Sequence, residues 1–402
     1  MIKQIKNKVN LYFLENDAYK TNRITINFYS KLDKKTTSYA SVLSKLMIRA
    51  NKKIKTSLEL ERELNNLYGA SLFSSYTKYG DIICYSFGLD ILKDKFAGEV
   101  IESKALEILA DCVLYQTDFN EEYLFQEKEN QINTIHAKEN DKKALTITNL
   151  IKLLADGEPY ALSEDGEIED IAEIDLEGLI DFYDYTFLKL PCDIICSGEF
   201  DVGTTTDKIT ELFKGYDAEK EMPSSKCHNF TETRFLIEKE ELSQSKLAMG
   251  FCLGKGTAEE KTIFNAIFGA TPYSKLFINV REKMSLCYYV GSKIDLFKNI
   301  LGVESGINKE DYEKAKMGIE KQLEDMVLGY FDEKDINDAK RAVLQSLKQA
   351  KASVSAREQM FIKERLLGEE LNEESLQNVS KEAIINVAKD CKLEVVYLME
   401  SK

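Results

Sequence analysis

The chain has 402 residues, 44% of them hydrophobic and 31% charged, which allows about two to four domains and a core that folds without disulfide or metal staples. Its 54 lysines and arginines against 69 aspartates and glutamates leave a net charge of −15, a field that repels nucleic-acid backbones and anionic membrane surfaces. Only two histidines occur, His136 and His228, so one chain cannot build a multi-histidine zinc site or a catalyst that needs several imidazoles.

Residues 1–8 are basic but lead into a strand-like run containing lysines, not into an apolar leader. No run approaches 18 consecutive apolar residues, and the expectation is a cytoplasmic protein that contacts neither membrane nor nucleic acid. Residues 21–31 alternate like a strand, and 38–49 and 57–68 carry helical spacing. Strands follow at 70–79 and 82–89, with 70–77 expected at a sheet edge. Helices are predicted over 98–115, 119–153 and 174–188, then a buried strand from Pro191 to Cys196 and a helix near 204–214.

A polar stretch, 215–231, separates this half from a second in which the order starts again. Strands are predicted at 234–241 and 245–253, then a helix opened by the capping box Thr257 to Glu260 and closed by Gly269, and a shorter helix at 274–283. Strands at 286–297 and 299–307, helices at 310–329, 332–349 and 380–390, and a strand at 393–398 complete it. Each half reads strands, helix pair, strand pair, long helices, strand. The fold class expected is therefore α+β, a tandem duplication of a mixed, antiparallel-rich sheet covered by helices. The domains would be 1–214 and 232–402, joined by a linker over 215–231.

The eight cysteines form no CxxC pair and mostly lie in apolar runs, which reads as reduced, buried small hydrophobes. His136 fits a helix surface. His228 beside Cys227 lacks the spacing of a structural metal site, and Gly254 to Thr257 lacks the phosphate-loop pattern.

The segment from Ser274 to Phe277, followed by Asn279 through Arg281 and Met284 to Tyr288, resembles the pitrilysin and mitochondrial-processing-peptidase family of inverted zinc peptidases. Tyr160 to Gly166, leading to Phe182, Tyr183 and the run Cys196 to Asp201, is similar to that family's first-half signature. Leu64 to Ser86 resembles its helix-to-strand passage beside the cleft. The resemblance spans almost the whole chain and implies two similar domains facing across a cleft, a clamshell.

Active members carry an HxxEH helix whose histidines hold zinc and whose glutamate activates water, plus a distal glutamate ligand. Aligned through Leu43 and Leu46, this chain has Ser41, Ser44 and Lys45 in that helix, and Thr134 at the distal ligand. Glu127 and Glu129 lie nearby in the same predicted helix. The resemblance thus implies a degenerate metal site, no metal or cofactor on this chain, and no catalytic residue on this chain alone. It also implies that Arg281 and Tyr288 reach substrate beside a catalytic half. The division of labour in bacterial two-chain members implies a heterodimer in which an HxxEH-bearing subunit supplies zinc and this chain supplies Arg281 and Tyr288 to a peptide substrate. The alternative is a stand-alone peptide-binding or scaffold protein of the same fold without proteolysis. A serine or cysteine hydrolase is disfavoured, because neither histidine sits in a suitable context.

Overall fold

The structure is a computed structural model and describes residues 2–402. Contacts divide the chain into two units, one formed by residues up to His136 with Leu162–Ser224, the other by Ala137–Ala161 with Ser225–Lys402.

The first unit is built on β1 (Ile2–Lys6), β2 (Val9–Glu15), β3 (Thr21–Lys31), β4 (Ser71–Tyr79), β5 (Ile82–Leu92) and β6 (Cys192–Gly198). Their order across the sheet is β1-β2-β6-β3-β5-β4, with β2 and β6 parallel and the other pairs antiparallel. Central β3 is buried on both faces, with Ile24, Ile26 and Phe28 on one and Thr25 and Asn27 on the other. The second unit has β7 (Arg234–Glu240), β8 (Ser245–Cys252), β9 (Tyr289–Asp295), β10 (Ile300–Ile307) and β11 (Lys392–Ser401) in the order β7-β11-β8-β10-β9. Here β7 and β11 are parallel and the remaining pairs antiparallel. Strand for strand, β2, β6, β3, β5 and β4 correspond to β7, β11, β8, β10 and β9. Two copies of one α+β topology are therefore present, and the first carries β1 as an addition.

The division differs from the expected one at residues 137–161, which leave the first half of the sequence to join the second unit. The cause lies in the helix Lys142–Leu154. Its apolar stripe sets Leu150 and Leu154 into a core with Ala248, Ile300, Val395 and Tyr397. Gly250 of β8 makes this approach possible, because a Cβ there would stand 2.2 Å from the Leu154 Cδ1. The stretch read as one helix over 119–153 is two, Glu121–Asn140 and Lys142–Leu154, since the Asp141 carboxylate accepts from the amides of Lys143 and Ala144 and starts a new helix.

The helix Val354–Leu367 escaped the sequence reading although Ser353 caps it. Strand β4 lies at the edge of its sheet, where the sequence placed residues 70–77. Cys84, Cys112, Cys192 and Cys196 are buried, and burial pushes the Cys84 thiol up to about 12. Cys227 departs from that reading: it is exposed. No helix among the described residues is long and apolar enough to cross a membrane.

Candidate functional site

In the first unit, the helix Lys34–Leu46 starts at Asp33, whose carboxylate accepts from the Thr36 amide, and turns Ser41 and Ser44 inward. Both hydroxyls are used up by the helix itself. Ser41 Oγ donates to the Ser38 carbonyl at 2.9 Å and Ser44 Oγ to the Ser41 carbonyl at 3.0 Å. Lys45 extends to the facing helix Glu121–Asn140, where its Nζ donates to Gln131 Oε1 at 2.7 Å. Gln131 is fully buried and passes the network on, its Nε2 donating to the Tyr76 hydroxyl at 3.0 Å and to the Asp165 carbonyl at 2.8 Å. The Tyr76 hydroxyl donates to Asp165 Oδ1 at 2.7 Å. Burial, and next the Asp165 carboxylate, push the Tyr76 phenol above its ordinary value, so it remains a donor.

Thr134, expected to stand opposite the serine and lysine positions, bonds its own helix instead, Oγ1 to the Asn130 carbonyl at 2.8 Å. The residue that meets Lys45 is Gln131, one turn earlier. Glu127, four residues before Gln131 and on the same helix face, is occupied by Arg49 at 2.8 Å. Gln131 could have been found from the sequence as the polar residue sharing the Leu124 and Glu127 face.

In the second unit, the helix Ala258–Asn265 opens with the expected capping box at Thr257 and Glu260. It then passes into two stretches of wider turns, Ala266–Ala270 and Leu276–Lys283, which no sequence pattern announced. Gly269 does not end the helix. A Cβ there would lie 2.3 Å from Ser292 Oγ and 2.6 Å from Leu276 Cδ1, so its bare backbone lets this segment rest on β9. Gly269→Ala is expected to cost about 1–3 kcal/mol by overpacking, read as a lower urea midpoint; an unchanged midpoint would show that the turn relaxes freely.

After the second stretch the chain reverses at Ser285, whose φ of 52° is left-handed, and the Leu286 amide reaches back to the Val280 carbonyl. The reversal brings together the two residues the sequence singled out. Arg281 Nε donates to the Tyr288 carbonyl at 3.0 Å, and the guanidinium stacks 4.5 Å over Phe277. Arg281 Nη1 lies 3.2 Å from the exposed Glu282, and the Tyr288 ring is 53% exposed with its hydroxyl donating to Asn308 Oδ1 at 2.9 Å. The next residue, Tyr289, packs over Gly306 between the ammonium groups of Lys143 and Lys246.

The sequence reading also missed a buried charge cluster around His228. Its Nδ1 lies 2.6 Å from Glu158, and its Nε2 2.9 Å from Glu394, which is fully buried. Lys298, 1% exposed, meets Glu158 at 2.6 Å. Thr231 donates its amide and hydroxyl to Glu394. Burial pushes the Glu158 carboxyl up, but the bonds from Lys298 and His228 outweigh it and hold the group below the usual glutamate value. His228 therefore ties the segment after Ser225 to β11, to the inserted stretch 137–161 and to the β9–β10 turn. His136 is exposed on its helix.

Residues 173–343 match the family described as the peptidase M16 inactive domain. Over 417 aligned residues, 99% of this chain and 98% of the other, it is 27% identical to a probable inactive metalloprotease, YmfF, of Bacillus subtilis (strain 168). The chain is thus similar to inactive members of the M16 peptidase family. A conserved protein from Enterococcus faecalis V583 shares the fold at a TM-score of 0.91 with 25% identity, over 100% of this chain and 98% of that one. An M16 inactive domain from Pseudomonas fluorescens does so at 0.80 with 17% identity, over 98% and 96% of the two chains.

Both the matching family model and the Bacillus relative are described as inactive. Zinc needs imidazole, thiolate or carboxylate donors, and Ser41, Ser44, Lys45 and Gln131 offer two hydroxyls, an ammonium and an amide, while the nearby carboxylates of Asp165 and Glu127 are engaged by Tyr76 and Arg49. That set does not fit the ion. Among the described residues no group of three histidine, cysteine, aspartate or glutamate side chains is placed to hold a metal. Metal analysis of the chelator-washed chain is expected to give far less than one zinc per chain; one tightly held equivalent would contradict this reading of Ser41, Ser44, Lys45 and Gln131.

Proposed function

We propose that this chain is the non-catalytic subunit of a cytoplasmic two-chain M16 zinc peptidase, lending Arg281 and Tyr288 to a partner that carries HxxEH. The observation that carries the reading is the bond from Arg281 Nε to the Tyr288 backbone carbonyl, which holds the two residues together where both side chains reach solvent. Arg281 is anchored through Nε to the Tyr288 carbonyl, and solvent or substrate can displace the exposed Glu282 from its far nitrogens. Guanidinium and phenol are both donors, suited to a peptide carbonyl and to the oxyanion that develops from it. The partner's zinc and glutamate would act on the same peptide bond, leaving this chain to position the substrate. A second reading, a scaffold that holds peptides without cleaving them, is favoured by the Tyr288 hydroxyl already having an acceptor in Asn308.

Co-expression tests the pairing. A tagged chain should elute with an HxxEH-bearing M16 homologue in a fixed ratio and with zinc in proportion to that homologue. Elution of the chain alone would count against the subunit reading.

A further inference from the structure

Strand β7 reads Arg-Phe-Leu-Ile-Glu-Lys-Glu, and its three successive apolar side chains are all exposed, Phe235 at 59%, Leu236 at 38% and Ile237 at 52%. It forms one end of its sheet, bonded in parallel to β11 and to no other strand among the described residues. The duplicated first unit shows the same position covered. There β2, the counterpart of β7, has Val9, Leu11, Tyr12 and Phe13 buried, and β1 lies antiparallel along its outer side. An uncovered apolar edge is a pairing surface that folded proteins usually protect with charge, proline or a further strand.

We infer that a second copy of this chain docks on β7, the two β7 strands pairing antiparallel across a two-fold axis. The strand is complementary to its own reverse. With Ile237 on the axis, Arg234 stands opposite the partner's Glu240, Phe235 opposite the partner's Lys239, and Leu236 opposite the partner's Glu238. The end pairs are of opposite charge, and the lysine lies where it can cover a phenyl ring, as Lys316 already does at 5.1 Å from Phe235. Within the chain the ion pairs of the outer charges are long, Arg234 to Asp156 at 3.9 Å and Glu240 to Lys142 at 3.7 Å, although Arg234 Nη2 also donates to the Leu153 carbonyl. A uniformly acidic or basic strand would meet like charge at one end, whereas the self-pair meets it at neither, and it is isologous as a closed dimer requires. Strands β7 and β9 are opposite edges of the sheet, so this surface is separate from Arg281 and Tyr288.

A seven-residue strand pair belongs to the small interface class, so the dimer should depend on concentration. Sedimentation velocity of the full chain over a hundredfold dilution series is expected to show a monomer–dimer equilibrium. Ile237→Lys and Ile237→Glu place like charges on the axis, and each should move the midpoint at least about tenfold to higher concentration. An equimolar mixture of the two variants should restore the dimer, because lysine then faces glutamate. Ile237 is half exposed, and circular dichroism checks that both variants fold. A wild type that is monomeric throughout, variants that dimerise like wild type, or a mixture that stays monomeric would each overturn the assignment. So would a monomeric wild type whose pairing with an HxxEH subunit is weakened by Ile237→Lys, which would give β7 to that partner instead.

Discussion

Arg281→Ala and Tyr288→Phe should each lower kcat of a pair reconstituted with a zinc-bearing M16 subunit by about 10²–10³, roughly 2.7–4 kcal/mol, the usual effect of removing one oxyanion donor. Folding and pairing should be unchanged, because both side chains reach solvent and neither joins the core of the second unit. The two substitutions differ in what else they disturb. Arg281→Ala also removes the bond to the Tyr288 carbonyl and the stacking on Phe277, loosening the turn at Ser285. Tyr288→Phe removes one hydroxyl and its bond to Asn308 and leaves the backbone as it was. Equal losses in both would assign the effect to the donors; a loss in Arg281→Ala alone would assign it to the turn. The readout is kcat at matched zinc content, and full activity in both would reduce the pair to structural residues.

Glu394→Ala should destabilise the second unit by about 3–5 kcal/mol, the range found when one partner of a buried charge pair is removed. Glu394 is fully buried and accepts from His228 Nε2 and from the amide and hydroxyl of Thr231. Its loss leaves the buried His228 Nε2 without its partner, while the amide and hydroxyl of exposed Thr231 turn to water. Urea unfolding measures the change, with hydrogen exchange along β11 to locate it; a loss below about 1 kcal/mol would mean that water enters and replaces the carboxylate. The cluster also has an acid limit. Glu158 is held below its ordinary value near 4.5, so its contribution to stability is complete above that pH and is lost as pH falls through the lowered value.

The repeating strands were legible because each apolar run is long and bounded by polar turns, and β3, β5, β8 and β10 lie close to where periodicity put them. The crossing of residues 137–161 into the second unit was not legible, since periodicity marks an apolar face without saying which sheet it covers. Only the missing side chain of Gly250 shows where Leu154 goes. The wider turns around Gly269 and Arg281 were hidden because an added residue per turn leaves no mark on an apolar stripe. Ser41, Ser44 and Lys45 were singled out through the resemblance alone, and the structure shows the lysine held by Gln131. Thr134 was assigned by alignment to the family motif, and its side chain bonds back one turn along its helix. His228 looked like a linker residue because its partners, Glu158 and Glu394, are 70 and 166 residues away.

The central proposal is that this M16-like chain has no zinc site of its own and supplies donors to a partner that has one. The most direct measurement is peptide turnover by an HxxEH-bearing M16 subunit alone, by this chain alone, and by the two mixed at equal concentration. The account predicts no turnover by this chain alone and a rate for the mixture far above that of the zinc subunit alone. A zinc subunit equally active with and without this chain, or this chain cleaving peptide unaided, would contradict it.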